Sequence, residues 1–415
     1  MGRIVLSMQL ARIAQAMVSV VLVLFTLDQF ESPQLAGIVT FASVAPGIVV
    51  SPIAGAMLDR YQRIRLIRID YVIAFFTMLL IGGLSLAGQL SAPLLIAIAA
   101  ISSITGPLSQ TGLRSLFPLI TPEHLWERVN AVDSNGYLIA SIIGPPLAAT
   151  LFVLLGPQAA VIAIGIPYAI ATVTLIGVRE PAKRGLRSQR LVADVMTGLR
   201  YAWGNKTIRG LIFAIGAINV ASGVLAIVVP VLVLDHLQAP KIAVGLAFAV
   251  SGVAGVISVL AFGRVDSRGQ EWRLLVYPMV FVVPAYGLLF IASSNAAVAT
   301  PALGLLAIVG TMLILGLANG PLDIGLFTIR QRRTDPALMG RAFAISMALN
   351  FSGFPIGAAL AGVLAERSVD LAILAAVAAA ALGTVFAAIL VPRHDAPDPA
   401  PAPDPAVTSS PPPGG

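Results

Sequence analysis

Apolar runs of similar length alternate with short polar connections along most of the chain. A helix needs about 20 predominantly apolar residues to cross the hydrocarbon core of a bilayer. The runs lie at residues 4–27, 35–57, 69–87, 93–113, 131–154, 159–178, 210–234, 243–262, 274–293, 301–328, 343–364 and 370–391. This pattern predicts twelve membrane-spanning helices, and therefore an all-α membrane protein.

The composition agrees with the pattern and excludes a soluble protein. Of the 415 residues, 58% are hydrophobic and only 11% are charged, and the mean hydropathy is +0.93. A water-soluble chain of this length carries much more polar surface. The net charge of +7 comes from bases in short connections without interleaved aromatic residues. It therefore indicates membrane topology, and we expect no binding to nucleic acid.

The basic residues also predict the orientation of the helices, because Lys and Arg near the ends of spans stay on the cytoplasmic side. With a cytoplasmic N-terminus, all but two of the 26 Lys and Arg residues lie on that side or at its membrane edge; the exceptions are Lys241 and Arg367. The first run has no small-residue cleavage site before Asp28, so we interpret it as an uncleaved span. We expect a multi-pass protein of the cell inner (plasma) membrane with both termini cytoplasmic.

The sequence lacks the residues that several kinds of site require. There is no Cys, so neither a disulfide nor a thiolate metal site is possible. There is no phosphate-binding G-x-x-x-x-G-K-[ST] loop and no soluble domain long enough to hydrolyse ATP. We therefore expect no cofactor, no metal and no enzymatic activity.

The two halves of the chain repeat each other. Gly55 and Asp59 before a basic connection recur as Gly263 and Asp266 before another. An internal repeat of six spans is typical of transporters built from two bundles around a central pathway. The sequence thus predicts two pseudo-symmetric six-helix bundles.

Two polar segments complete the predicted organisation. In the first, Leu191, Val195, Leu199 and Trp203 recur every four residues, which predicts an amphipathic helix along the inner membrane surface. The second alternates Pro with Ala, Asp and Ser and predicts a disordered tail. The predicted domains are an N-terminal bundle at 1–178, a cytoplasmic linker at 179–209, a C-terminal bundle at 210–392 and a Pro-rich tail at 393–415.

The connection between the second and third runs reads GAMLDRYQRIR, starting at Gly55. It resembles the signature loop of the major facilitator superfamily, G-x-L-a-D-r-x-G-r-k. Gly55, Asp59, Arg60 and Arg63 match this loop, whereas Gln62 replaces its second Gly. The resemblance implies the fold of that superfamily, in which two six-helix bundles rock about a central cavity.

The fifth run adds to the resemblance. Residues 144–149, GPPLAA, are similar to the G-P-x-x-G-G end of a motif of drug:proton antiporters, and Gly144-Pro145 is the part that is intact. Residues 114–131 and 339–362 are similar to the drug-exporter branch that includes macrolide and siderophore exporters. These resemblances cover both halves of the chain and imply export of small compounds.

The resemblance also implies roles in closing the cytoplasmic side. In the superfamily, the loop aspartate is expected to meet the end of the eleventh helix and an arginine at the end of the fourth, here Asp59 and Arg114. Carried over, Asp59, Arg60, Arg63 and Arg114 hold the cytoplasmic side shut in the outward-open state. The residues alone leave another interpretation open for the arginines, namely binding lipid phosphates and setting topology.

Charged side chains at bilayer depth are usually functional. Asp323 lies seven residues before Arg330, which at about 1.5 Å per residue sets it roughly 10 Å inside the end of the tenth helix. Asn319 lies one turn earlier on the same face. Asp323 is therefore a candidate to take and release a proton. The alternative is a buried acid paired with an arginine for structure.

Two more charged residues are candidates for the substrate or proton pathway. Asp133 lies in the first turn of the predicted fifth span, where stabilising the helix end is favoured over coupling. Arg12 in the first span is placed to bind an anionic group or Asp133, or to snorkel to the inner surface.

Together these features predict a monomeric secondary transporter in contact with membrane lipids. The apolar spans favour a small amphipathic or lipophilic substrate, and the proton is the expected coupling ion. We predict export by rocker-switch alternating access. Two alternatives stay open: a proton-coupled importer or facilitator of a metabolite, and a lipid flippase or non-transporting membrane receptor.

Overall fold

The computed structural model describes residues 2–122, 126–178, 180, 191–263, 269–335 and 338–393. These residues form helices joined by short connections, with no strand among them. Twelve helical segments of the described chain are long and apolar enough to cross a membrane, and each overlaps one run predicted from the sequence. The prediction of an all-α protein with twelve spans is confirmed.

Spans 1 to 6 form the N-terminal bundle. Its helices are Gly2–Phe30 (span 1), Pro33–Ala42 and Ala45–Arg60 (span 2), Arg63–Leu86 (span 3), Ala92–Ser103 and Gly106–Ile120 (span 4), Trp126–Leu155 (span 5) and Pro157–Thr174 (span 6). Spans 2 and 4 are each broken just before a proline, because proline lacks an N–H and disfavours a helical residue before it. The two breaks pack together, since Gly47 lies directly against the main-chain carbonyl of Ser103.

Spans 7 to 12 form the C-terminal bundle. Its helices are Lys206–Val231 with the π-helical turn Leu232–His236 (span 7), Ile242–Phe262 (span 8), Glu271–Gly287 and Leu289–Ala292 (span 9), Asn295–Ala299 in the next connection, Pro301–Arg332 (span 10), Met339–Phe351 and Gly353–Arg367 (span 11), and Val369–Leu390 (span 12). Span 7 packs on spans 11 and 12 as span 1 packs on spans 5 and 6. Span 9 packs on spans 10 and 12 as span 3 packs on spans 4 and 6. The predicted pair of pseudo-symmetric bundles is confirmed, while the domain boundaries stay predictions.

The two ends of the helix array differ in charge. The end that carries the N-terminus and the connection from Arg60 to Arg63 is called the basic end here. The opposite, distal end carries Asp28 and Lys241. Span 2 packs on span 11, and span 5 packs on span 8. These contacts between bundles lie from mid-span to the distal end, so the bundles are closed against each other there.

The outward-facing surfaces of the spans are apolar. Large aliphatic side chains stand exposed there, such as Leu154 at 72%, Leu306 at 69% and Ile389 at 74%. Continuous exposed apolar surface of this kind is stable only against lipid. The protein is therefore a multi-pass membrane protein.

The linker forms the expected helix, at Leu191–Gly204. Its end packs against the C-terminal bundle: the Trp203 and Phe213 rings are 5.9 Å apart, and the main-chain N–H of Asp335 donates to the Tyr201 hydroxyl at 2.8 Å. Trp203 and Met196 remain about half exposed. Exposed apolar side chains on a helix at the basic end fit the predicted position along a membrane surface.

Some predicted features lie outside the described residues. These are the repeat residue Asp266, the tail from residue 394 onward, and the side chains of Asp59, Leu191 and Val195.

Candidate functional site

A cavity of about 360 Å³ lies between the two bundles and is lined by spans 1, 5, 8 and 10. Most of its wall is apolar and comes from Ala16, Leu138, Pro145, Phe248 and Val259. Its polar groups are three serines, at positions 19, 141 and 251, together with Asn319 and Asp323. The bundles meet on its distal side, so the cavity lies on the side that faces the basic end.

Asp323 is the acidic residue of this cavity wall. It stands one turn from Asn319 on span 10, and Pro321 between them removes a main-chain N–H from the helix. The Asp323 side chain is exposed, and no Lys or Arg of the described chain lies within ion-pair distance of it. Among the described residues there is thus no arginine for the alternative of a structural pair.

Arg330, two turns further along span 10, has a different environment that the sequence did not predict. Its side chain is completely buried, and its Nη1 lies 3.0 Å from the Met347 sulfur. With the Asn350 amide oriented to satisfy its neighbours, the amide oxygen accepts from Arg330 Nη2 at 2.9 Å. The rings of Phe327 and Phe343 lie 5.7 and 5.2 Å from the guanidinium. Its partners in the described chain are thus neutral groups.

A second polar cluster lies in the N-terminal bundle. Arg12 of span 1 is buried and forms an ion pair with Asp133 of span 5, while its Nη1 donates to the Asp133 main-chain carbonyl. Arg114 of span 4 approaches the other carboxylate oxygen at 3.5 Å. The Tyr137 ring lies 3.8 Å from the Arg12 guanidinium and 5.2 Å from that of Arg114. Asp133 thus joins three spans.

The helix that contains Asp133 starts earlier than the sequence indicated. It begins at Trp126, so Asp133 lies about two turns inside the helix, and the interpretation of Asp133 as a first-turn acid is wrong. The helix begins ahead of the apolar run because the residues between Trp126 and the run, although partly polar, are compatible with a helix. Of the three possibilities for Arg12, the structure shows the pair with Asp133.

Of the loop motif, Arg63 is held by contacts within the N-terminal bundle. Arg63 donates to Ser115 at 3.0 Å and pairs with Glu180 at 3.2 Å, and Glu180 also accepts from the main-chain N–H of Ile64. Arg60 is exposed, and a Cβ added to Gly55 would have no other atom within 4 Å. Arg114, expected to meet Asp59, is paired here with Asp133. The signal for this pair in the sequence is the carboxylate of Glu180, six residues after the end of span 6, and the loop motif alone does not predict it.

Comparison with known proteins decides the family. A sequence profile of the Major Facilitator Superfamily matches residues 4–339. The chain belongs to the major facilitator superfamily. It is therefore a transporter and not an enzyme.

Its relatives include proteins of known and unknown activity. An MFS-type transporter of Sinorhizobium fredii is 35% identical over 376 residues, which are 88% of this chain and 89% of that protein. The multidrug efflux pump Tap of Mycobacterium tuberculosis is 26% identical over 352 residues, 80% of this chain and 79% of the pump. The crystal structure of a D-xylose-proton symporter superposes with a TM-score of 0.73 at 15% identity, covering 94% of this chain and 98% of the symporter. The last similarity supports the fold alone.

Within this superfamily fold, Gly144-Pro145 lies where span 5 is pressed between two other helices. A Cβ on Gly144 would lie 2.5 Å from the Cβ of Ala16 in span 1. On the other side, a Cβ on Gly245 of span 8 would lie 2.6 Å from the Pro145 carbonyl oxygen. Small residues permit such close helix contact. The motif therefore helps to form the contact between the bundles.

An ion pair at the distal end also joins the bundles, and the sequence did not predict it. Asp28 at the end of span 1 pairs with Lys241 at the start of span 8. The Lys241 ammonium also lies 4.9 Å from the Phe152 ring of span 5. One cation of the C-terminal bundle thus binds two groups of the N-terminal bundle. The signal in the sequence was that Lys241 is one of the two cations on this side.

Proposed function

We propose that the protein exports small amphipathic or lipophilic compounds in exchange for protons. The observation that carries this proposal is Asp323, a carboxylate without a described cation partner in the wall of an otherwise mainly apolar cavity. The apolar wall suits a lipophilic substrate, and the carboxylate supplies a group that can alternate between proton and substrate. Similarity to a multidrug efflux pump supports the outward direction.

The cycle that we propose follows the closure of the two ends. The basic end is cytoplasmic in this proposal, because Lys and Arg concentrate there. In the state described above, the distal contacts are closed and Asp323 faces the cytoplasmic side, where it releases a proton and admits substrate. Rocking of the bundles then opens the distal end, where substrate leaves and Asp323 takes a proton.

The loop motif and the Asp133 cluster have supporting parts in this cycle. We propose that Asp59, Arg60, Arg63 and Arg114 close the cytoplasmic end when the distal end opens. Arg114 is placed for an exchange of partners, because its side chain is 58% exposed and contacts Asp133 through a single atom pair, 3.5 Å apart. Exposed pairs of this kind are weak and break readily.

The test is transport by protein reconstituted in liposomes with an imposed pH gradient. One proton exchanged per substrate lets a gradient of one pH unit support about a tenfold substrate gradient. The wild type is expected to accumulate a fluorescent lipophilic compound against its gradient and to lose this accumulation when a proton uncoupler is added. Asp323→Asn is expected to bind the compound but to lose the pH-driven accumulation.

Asp370→Asn is the matched control, because it makes the same chemical change at an exposed acid that accepts from Ser293 at the distal end. This control is expected to transport like the wild type. Uphill transport by Asp323→Asn equal to that of the wild type contradicts proton coupling through Asp323. Uptake only in the inward direction favours an importer, and movement of phospholipid without solute flux favours a flippase.

A further inference from the structure

A second pocket, of about 320 Å³, opens on the side of span 3 near the basic end. Its lining comprises Arg65, Arg68, Ile69, Val72 and Ile73. None of these residues lines the cavity between the bundles. The pocket is therefore separate from the transport pathway.

The lining residues form one stripe with a polar and an apolar end. Arg65 and Arg68 are three residues apart, and Ile69 and Val72 follow them at the spacing of helical turns, so their side chains share a face. At about 1.5 Å per residue, the stripe from Arg65 to Ile73 is roughly 12 Å long. Its apolar end points toward the middle of the membrane, and Ile69 and Val72 are exposed at 40% and 37%.

Arg68 differs from Arg63 of the same helix because its Nε has no hydrogen-bond acceptor. Its Nε is buried from solvent and has no hydrogen-bond acceptor in the described chain. Arg63, five residues earlier on span 3, binds Ser115 and Glu180. The side chain of neither Arg65 nor Arg68 forms a hydrogen bond or an ion pair in the described chain, and both line the pocket, so their guanidinium groups are available to an anionic ligand.

We propose that this pocket binds an anionic phospholipid, with its phosphate held by Arg65 and Arg68 and an acyl chain along Ile69, Val72 and Ile73. Two guanidinium groups present planar pairs of donors that match phosphate oxygens. The apolar end then contacts the hydrocarbon chain that continues from the same molecule. This proposal does not depend on the transported substrate or on proton coupling.

The lining also indicates which phosphate compound fits. A free phosphate ion would use the arginines and leave the apolar half of the stripe without a partner. A zwitterionic lipid would bring an ammonium group, for which the lining residues of the pocket offer two cations and no carboxylate. Phosphatidylglycerol, with a phosphate and no headgroup cation, fits both halves.

The experiment compares lipid binding to purified full-length protein by native mass spectrometry. The probes are phosphatidylglycerol, phosphatidylcholine and soluble glycerol phosphate. Arg65→Gln combined with Arg68→Gln is expected to weaken phosphatidylglycerol binding by about tenfold or more, since charge-assisted contacts are lost. Phosphatidylcholine binding is expected to be unchanged.

Arg200→Gln combined with Arg273→Gln is the matched control. It removes the same charge from two exposed arginines, one in the linker helix and one at the start of span 9. The control is expected to bind phosphatidylglycerol like the wild type. An equal loss in the control shows unspecific charge attraction and overturns the proposal. Displacement of the lipid by equimolar glycerol phosphate shows a site for free phosphate esters and overturns it as well.

A second measurement leaves both arginines in place. Because the chain has no Cys, Val72→Cys introduces a single thiol at the apolar end of the pocket. Phosphatidylglycerol is expected to slow maleimide labelling of this thiol by about fivefold or more, whereas phosphatidylcholine is not. Equal labelling rates with the two lipids contradict the proposed position of the acyl chain.

Discussion

Equivalent helices of the two bundles meet around polar clusters of different charge. In the N-terminal bundle, spans 1, 4 and 5 meet at Asp133, which binds Arg12 and Arg114. In the C-terminal bundle, Asn350 of span 11 occupies the corresponding junction with spans 7 and 10, and its amide faces Arg330. The first cluster holds its arginines with a carboxylate, whereas the second holds its arginine with neutral groups.

The acid of span 10 is instead placed in the cavity wall. Asp323 lies two turns from Arg330, toward the middle of the membrane, and has no cation partner in the described chain. A carboxylate held by two arginines is fixed in place, whereas one that faces a cavity without a cation beside it is accessible to a proton or a substrate. We infer that the N-terminal bundle uses its acid to join helices and that the C-terminal bundle presents its acid to the pathway.

The largest expected effect is that of removing the acid that joins spans 1, 4 and 5. Asp133→Asn leaves Arg12 buried without an anion, and the expected loss in free energy of unfolding is about 3 kcal/mol or more. Thermal unfolding in detergent measures it. The double variant Arg12→Gln with Asp133→Asn removes both charges and is expected to recover part of the loss. Equal stability of the single and double variants contradicts the importance of the pair.

A comparison of two arginine substitutions tests the difference between the bundles directly. Arg12→Met strands the Asp133 carboxylate beside the exposed Arg114 and is expected to cost about 3 kcal/mol. Arg330→Met leaves behind only neutral partners in the described chain, and its expected change in stability is within about 1 kcal/mol. Unfolding midpoints of the two variants, taken in the same detergent, give the ranking. A greater loss for Arg330→Met shows that Arg330 has an anionic partner.

Much of the fold was predictable because membrane helices depend on local sequence. Each apolar run long enough to cross a bilayer became a span, and the repeated loop motifs implied two bundles. The start of span 5 was misplaced because charged and polar residues interrupt its first two turns, so hydropathy placed the start too late. Helix ends outside the hydrocarbon core follow from capping and packing, which hydropathy does not measure.

The candidate site was predictable only in part. Depth in the membrane singled out Asp323 and Asn319, which line the cavity. Ion-pair partners were harder to predict, because pairs such as Asp28 with Lys241 join residues that are far apart in sequence. Arg330 was treated as a marker of the helix end, although it is completely buried. Burial of a long side chain depends on neighbouring helices, and one sequence gives no contacts between helices.

Two glycines at corresponding positions of the repeat give a smaller effect. A Cβ on Gly47 of span 2 would collide with the Ser103 carbonyl, whereas a Cβ on Gly255 of span 8 would have its nearest neighbour at 3.7 Å. Gly47→Ala is therefore expected to cost about 1–3 kcal/mol, as in overpacked cores. Gly255→Ala is expected to be neutral or to stabilise by less than about 1 kcal/mol, through higher helix propensity. Unfolding temperatures of the two variants check the difference.

The smallest expected effect in stability concerns the distal ion pair, which links the bundles whose clusters differ. The side chains of Lys241 and Asp28 are 38% and 22% exposed, so solvent screening limits the pair to about 1 kcal/mol or less. Lys241→Met removes an interaction that exists only while the distal end is closed, and 1 kcal/mol shifts that equilibrium by about fivefold. Labelling of Ser19→Cys in the cavity, with a membrane-impermeant thiol reagent added on the distal side, measures the shift.

The charge exchange Asp28→Lys with Lys241→Asp is the control for that shift, because it keeps an ion pair at the same place. With the exchanged pair, distal labelling of Ser19→Cys is expected to return toward the rate measured with Asp28 and Lys241 both in place. Asp28→Lys alone is expected to raise the rate further than Lys241→Met does, because two cations then face each other. Restored labelling assigns the effect to attraction between the bundles. If the exchanged pair labels as fast as Lys241→Met, the closed distal end is instead held by the contacts of spans 2 and 5 with spans 11 and 8.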